Sequence, residues 1–124
     1  NAHALCNTPR NLTERQLAVV RDSGGVVGLN FAAGFLRADG QMATDFGLDV
    51  MLRHLDHMIE HLGEDGVAIG SDFDGATVSD AITDCTGLPV LRSAMVAHGY
   101  DAALMEKLCH GNWMRVLRAT WKDG

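Results

Sequence analysis

Apolar residues recur most regularly between Thr44 and Leu62, where Leu48, Met51, Leu55, Met58, Ile59 and Leu62 follow one another at helical intervals. That spacing predicts an α-helix over 44–62, with Arg53, His54, Asp56, His57, Glu60 and His61 on the polar face and Gly63 as the stop. A second helix start stands upstream. Thr13-Glu14-Arg15-Gln16 fits a capping box, in which the Thr hydroxyl and the Gln side chain each satisfy a free backbone N–H, and Leu12 and Leu17 fall at the staple positions. This helix runs through Val19 and Val20 and stops near Gly24-Gly25, where glycine tolerates a left-handed cap.

Two further apolar stretches lack the helical period. Residues 25–31 and 66–72 are short runs of small and β-forming residues bounded by glycines, as in strands buried on both faces of a parallel sheet. Between the first strand and the long helix, 32–43 reads as a loop with the turn pair Asp39-Gly40; its Phe35 and Leu36 either line a pocket or plug the top of the core. After the second strand, 76–88 reads as a loop rich in Thr, Asp and Gly. Pro89 suits the first turn of a helix through Leu91, Met95 and Val96 to Gly99. Asp101 caps a short helix through Leu104, Met105 and Leu108, and a last helix from Asn112 is expected to bury Trp113, Val116 and Leu117. The class is α/β, and two parallel strands with a crossover helix form a βαβ unit that needs further strands to cover its edges.

Composition narrows the partners. At 124 residues, 47% of them hydrophobic, the chain amounts to one domain at most, with enough apolar side chains for a core. Ten basic against 16 acidic residues give a formal charge of −6, which disfavours nucleic acid and anionic membranes. Cys6, Cys85 and Cys109 have no Cys-x-x-Cys spacing and read as reduced thiols. The longest apolar stretch, 26–35, is broken by Gly28, Asn30 and Gly34 and falls short of the ~20 residues of a membrane span. No signal peptide is recognisable, and the compartment stays open. The chain begins Asn1-Ala2-His3, as though cut from something longer.

Chemistry is expected where the second strand ends. In parallel α/β folds reacting groups collect at the carboxyl ends of strands, and Asp72 and Asp74 stand there before Gly75. Ordinary turn acids bonding their own backbone are the alternative. His54, His57 and His61 share one helix at spacings that permit a surface metal site, although a solvated polar face explains them equally well.

Taken together, Arg10-Asn11-Leu12 before a capped helix, Val27-Gly28-Leu29-Asn30-Phe31, His54-Leu55-Asp56-His57, Gly70-Ser71-Asp72-Phe73-Asp74-Gly75 and Gly111-Asn112 with Arg115-Val116-Leu117 resemble the membrane (renal) dipeptidase family of zinc metallopeptidases. The resemblance covers essentially the whole chain, 1–124, as one carboxy-terminal fragment of a metallo-dipeptidase barrel domain. It implies the last two strands of a (β/α)8 TIM-like barrel and a hydrolase acting on dipeptides at a centre of two zinc ions. Its metal ligands lie on barrel segments outside this sequence, so no residue here is assigned as a ligand, His3 included. Two positions carry over. Asp72 matches the acid that moves the proton from the attacking water to the leaving amine, and Arg10 matches the arginine that grips the dipeptide's free carboxylate. Phe35 matches an aromatic near the substrate, and Asp74 shapes the loop. Taken alone, the chain is expected to lack activity and to expose an open strand edge.

Two other readings compete. Asp72-Phe73-Asp74-Gly75 also resembles the Asp-x-Asp-Gly motif of haloacid-dehalogenase-like, magnesium-dependent phosphatases, although that motif usually opens its domain. The third reading is non-catalytic: a barrel piece that associates through its open edge, for instance as a homodimer.

Overall fold

A computed structural model describes residues 1–121. Its elements follow the βαβ order: α1 (Glu14–Asp22), β1 (Val27–Leu29), a short α2 (Ala33–Leu36), α3 (Leu48–Leu62), β2 (Val67–Ile69), α4 (Leu88–His98), α5 (Ala102–Glu106), a π-helical turn (Lys107–Gly111) and α6 (Asn112–Thr120). The strands are parallel, with Val27 opposite Val67, Gly28 opposite Ala68 and Leu29 opposite Ile69. Hydrogen bonding continues past the apolar part, since the Gly70 N–H donates to the Leu29 carbonyl at 3.0 Å and the Phe31 N–H to that of Ser71 at 2.7 Å. Two glycines permit this closeness. A Cβ on Gly28 would stand 2.8 Å from the Trp113 ring, and one on Gly70 would stand 2.8 Å from the Leu29 carbonyl oxygen.

α1 and α3 pack together and cover the strands, burying Leu17, Leu29, Phe31, Met51, Leu55, Met58, Leu62 and Val67 in one cluster. α1 carries the expected capping box, with Thr13 and Gln16 satisfying each other's backbone N–H. α3 begins later than its apolar period suggests, at Leu48 after the Gly47 cap. The three residues before Gly47 are held instead by the 76–88 loop: the Asp80 N–H donates to the Thr44 carbonyl at 3.1 Å, and the Ser79 hydroxyl to that of Phe46. The expected loop 32–43 contains the single helical turn α2, which buries Leu36 and leaves Phe35 half-buried.

The last helix anchors both strands with polar groups, where an apolar face was expected. Trp113, Val116 and Leu117 are only half-buried, and Asn112 is the buried residue of α6. The Asn112 amide donates to the Glu64 and Val67 carbonyls at 2.7 Å each, and the Trp113 indole N–H to Ile69 at 2.9 Å. The Arg115 guanidinium donates to the carbonyls of Gly24, Gly25 and Asp65, ahead of both strands. An apolar face would leave these strand-end carbonyls unpaired. Similarly, Val19 and Val96 are exposed, their helices having only one covered face.

His54 departs furthest from expectation. It is 1% exposed, on the inner side of α3, and takes no part in a polar face. Its Nδ1 accepts from the Ala2 N–H at 3.2 Å and its Nε2 lies 2.9 Å from the Leu36 carbonyl, so Nε2 carries the proton. The ring thereby ties α3 to the first residues of the chain and to α2. Burial pushes its pKa down from 6.5 to about 4, against the Leu36 carbonyl, which favours the charged form.

Between about pH 6.5 and about 4 the unfolded chain therefore binds the extra proton and the folded chain does not. The contribution of neutral His54 is full above this window and falls by about 3 kcal/mol across it as the pH drops. Urea denaturation at a series of pH values checks this. His54→Gln, which cannot titrate, is expected to lose this share of the pH slope while keeping the share due to the carboxylates.

Candidate functional site

The parallel register delivers two polar side chains to the same end of the sheet. Asn30 follows β1 and Asp72 follows β2, and the Asn30 Nδ2 donates to the Asp72 Oδ2 at 3.0 Å. The orientation of the Asn30 amide is fixed, because its Oδ1 accepts from the Ala32 N–H at 2.7 Å. Asp72 is half-buried, with φ at +86°, a conformation that Asp and Asn tolerate better than most residues. The absence of a side chain at Gly75 matters here, since a Cβ there would run into the Asp72 carboxylate. Asp74 also has positive φ, at +64°, and is exposed, as fits a loop-shaping residue.

Arg10 is linked to this pair only through a series of intervening contacts. Its guanidinium lies over the Phe35 ring, 5.0 Å from the centroid, and the side chain is exposed. The backbone beneath Phe35 is held by two asparagines, as its carbonyl accepts from Asn11 Nδ2 at 2.9 Å and from Asn1 Nδ2 at 3.2 Å. Asn1 also donates to the Asn30 carbonyl and accepts from the Asn30 N–H, both at 2.8 Å. A continuous chain of contacts thus runs from the Asp72 carboxylate through Asn30 and Asn1 to Phe35, on which Arg10 rests. Asn1, Asn11 and Asn30 were not singled out from the sequence. The available signal was a carboxamide directly after an apolar strand run, where a turn residue would serve as well.

These groups do not form a metal centre. Beside Asp72 stand carboxamides and backbone, a donor set that does not hold two divalent ions. Among the described residues one trio of His, Cys, Asp or Glu donors converges, Glu14, His57 and His61, and it belongs to α1 and α3. Two clefts of about 410 Å³ each lie along α4, one lined by Ile69, Leu91 and Cys109 and the other by Tyr100, Met105 and His110. The strand-end groups line neither. Cys6, Cys85 and Cys109 are free thiols, as expected. No helix among the described residues is long and apolar enough to cross a membrane.

The profile of the membrane dipeptidase family, peptidase family M19, matches residues 1–122. A protein of the pqqA 5′ region of Klebsiella pneumoniae is 53% identical over 123 residues, which are 99% of this chain and 45% of that protein. A crystal structure of a metallopeptidase from Rhodobacter sphaeroides, liganded with a phosphinate mimic of the dipeptide L-Ala-D-Ala, superposes with a TM-score of 0.96 at 60% identity, over 98% of this chain and 34% of its own. That of a second metallopeptidase of family M19, a dipeptidase, gives 0.96 at 59%, over 98% and 36%. The chain spans less than half the length of these relatives and matches the carboxy-terminal part of their barrel.

Asn30→Ala is expected to destabilise the fold by about 1–3 kcal/mol, because the Ala32 N–H and the Asp72 carboxylate each lose a partner. Denaturant unfolding measures the loss. Asn30→Ser, which keeps an acceptor for Ala32, should recover part of it.

Proposed function

Because the chain belongs to the membrane dipeptidase family, peptidase family M19, we propose that it serves the zinc-dependent hydrolysis of dipeptides. In this reading Asp72 is the proton-transfer group and Arg10 the binder of the substrate's free carboxylate. What supports the reading is the run of contacts from Asp72 through Asn30 and Asn1 to Phe35 and Arg10, which ties two distant parts of the sequence to one end of the sheet. The donors beside Asp72 are unsuited to a two-ion centre, so other barrel segments would hold the zinc ions, which would supply the activation of water and of the scissile carbonyl. The relative with a phosphinate mimic of L-Ala-D-Ala indicates the substrate class: a dipeptide with a free carboxylate.

The roles follow from side-chain chemistry. Asn30 donates to one oxygen of Asp72 and so aims the carboxylate, leaving the other oxygen able to take a proton from the attacking water and pass it to the leaving amine. The Arg10 guanidinium has planar, paired donors suited to a carboxylate, and Phe35 beneath it restricts its orientation. Phe35 offers the substrate a flat apolar wall. The phosphatase reading of Asp72 and Asp74 is not retained, since the family match spans residues 1–122 and Asp74 stands exposed in a strained turn. Residues 1–124 without the remaining barrel segments are proposed to be inactive, and to associate through the outer edge of the two-stranded sheet.

Steady-state kinetics of the whole enzyme test the two roles separately. Asp72→Asn should lower kcat by about 10²–10⁴ with little change in KM. Arg10→Ala should raise KM for a dipeptide by about 30-fold while sparing the dipeptide amide, which has no carboxylate to grip. Unchanged kcat in Asp72→Asn, or equal losses on acid and amide in Arg10→Ala, would contradict the assignments.

A further inference from the structure

α1 and α3 bring three donor groups together. Glu14 stands in the first turn of α1, and His57 and His61 lie one turn apart on α3. One ligand atom from each falls within 4.8 Å of the others. The imidazoles face each other with centroids 4.4 Å apart, and the His57 Nε2 is 3.9 Å from the Glu14 Oε1. This last separation is too long for a hydrogen bond. The His57 Nε2 is buried and has no hydrogen-bond partner, the Glu14 carboxylate standing 3.9 Å away. A buried ring nitrogen of this kind costs stability unless something occupies the space before it.

We propose that Glu14, His57 and His61 bind one divalent transition-metal ion, bridging α1 and α3. Two imidazoles and one carboxylate favour zinc, nickel or copper over calcium or magnesium, which prefer all-oxygen shells. Around a four-coordinate zinc with bonds of about 2.1 Å, neighbouring donors stand about 3.4 Å apart. The trio is slightly wider than this. Glu14, 59% exposed, is free to rotate inward, and the two histidines keep the i, i+4 spacing that places them on one helix face. A water would complete a four-coordinate shell. Bound metal would satisfy the His57 Nε2 and fasten α1 to α3. α1 follows directly on the Arg10-Asn11-Leu12 segment, so the metal would also steady the loop beside Phe35.

Zinc content after equilibration with micromolar free Zn²⁺ and removal of unbound metal tests the proposal. The wild-type protein should hold one zinc per chain more than His61→Gln, and also one more than His57→Ala, with far-UV circular dichroism confirming that the variants remain folded. Glu14→Gln, at an exposed position that folding tolerates, should bind this ion about tenfold more weakly. Zn²⁺ should raise the thermal midpoint of the wild type by more than that of His61→Gln. Equal zinc content in the wild type and in both histidine variants would overturn the assignment.

Discussion

The site depends on the register of one pair of strands. β1 and β2 run parallel and in step, and their hydrogen bonds extend two residues past the strands, to Phe31 and Ser71. In this register Asn30 stands opposite Gly70, and Asp72, two residues further along, bends back within reach of its amide. A slip of one residue in either strand would turn that strand's side chains to the opposite face and separate the pair. The glycines of the strands serve this arrangement, because Gly70 lets the backbones meet and Gly28 leaves room for Trp113.

Polar groups with remote partners hold the register. Asn112, Trp113 and Arg115 engage carbonyls ahead of both strands and along β2, so α6 fixes where each strand begins. At the other end Asn1 bonds both backbone groups of Asn30, and His54 fixes the first residues of the chain against α2 and α3. Buried amides and a neutral imidazole suit this task, since each side chain can satisfy backbone groups that no strand or helix pairs. The loops carrying Arg10 and Phe35 are thereby attached to the sheet by hydrogen bonds and do not depend on apolar packing alone. For the proposed substrate clamp such attachment matters, because small displacements of positioning groups cost rate steeply.

Much of this was legible in the sequence, and the reasons for the rest are physical. The capping box at Thr13, the Asp101 cap, the two glycine-bounded strands and the long amphipathic helix rest on local periodicity or local hydrogen bonding, and all appear in the structure. The start of α3 was misplaced because the 76–88 loop competes for the residues before Gly47. His54 was misread, and the burial of Asn112, rightly expected to start the last helix, was not foreseen, for one reason. Their partners lie 18 to 52 residues away, and a polar residue next to an apolar stripe looks solvated until the fold brings those carbonyls to it. Asp72 was singled out because a strand end marks it, and Arg10 only through family resemblance, its exposed loop position carrying no pattern. The membership of the chain in the M19 family rests on the match over residues 1–122.

The most direct test is a crystal structure of the whole enzyme with a phosphinate dipeptide mimic bound. The account predicts that an Asp72 carboxylate oxygen lies within hydrogen-bonding distance of the tetrahedral phosphinate group, with Asn30 still donating to the other, and that Arg10, on Phe35, forms paired hydrogen bonds to the terminal carboxylate. A ligand whose carboxylate is held elsewhere, or an Asp72 turned away from the phosphinate, would contradict it.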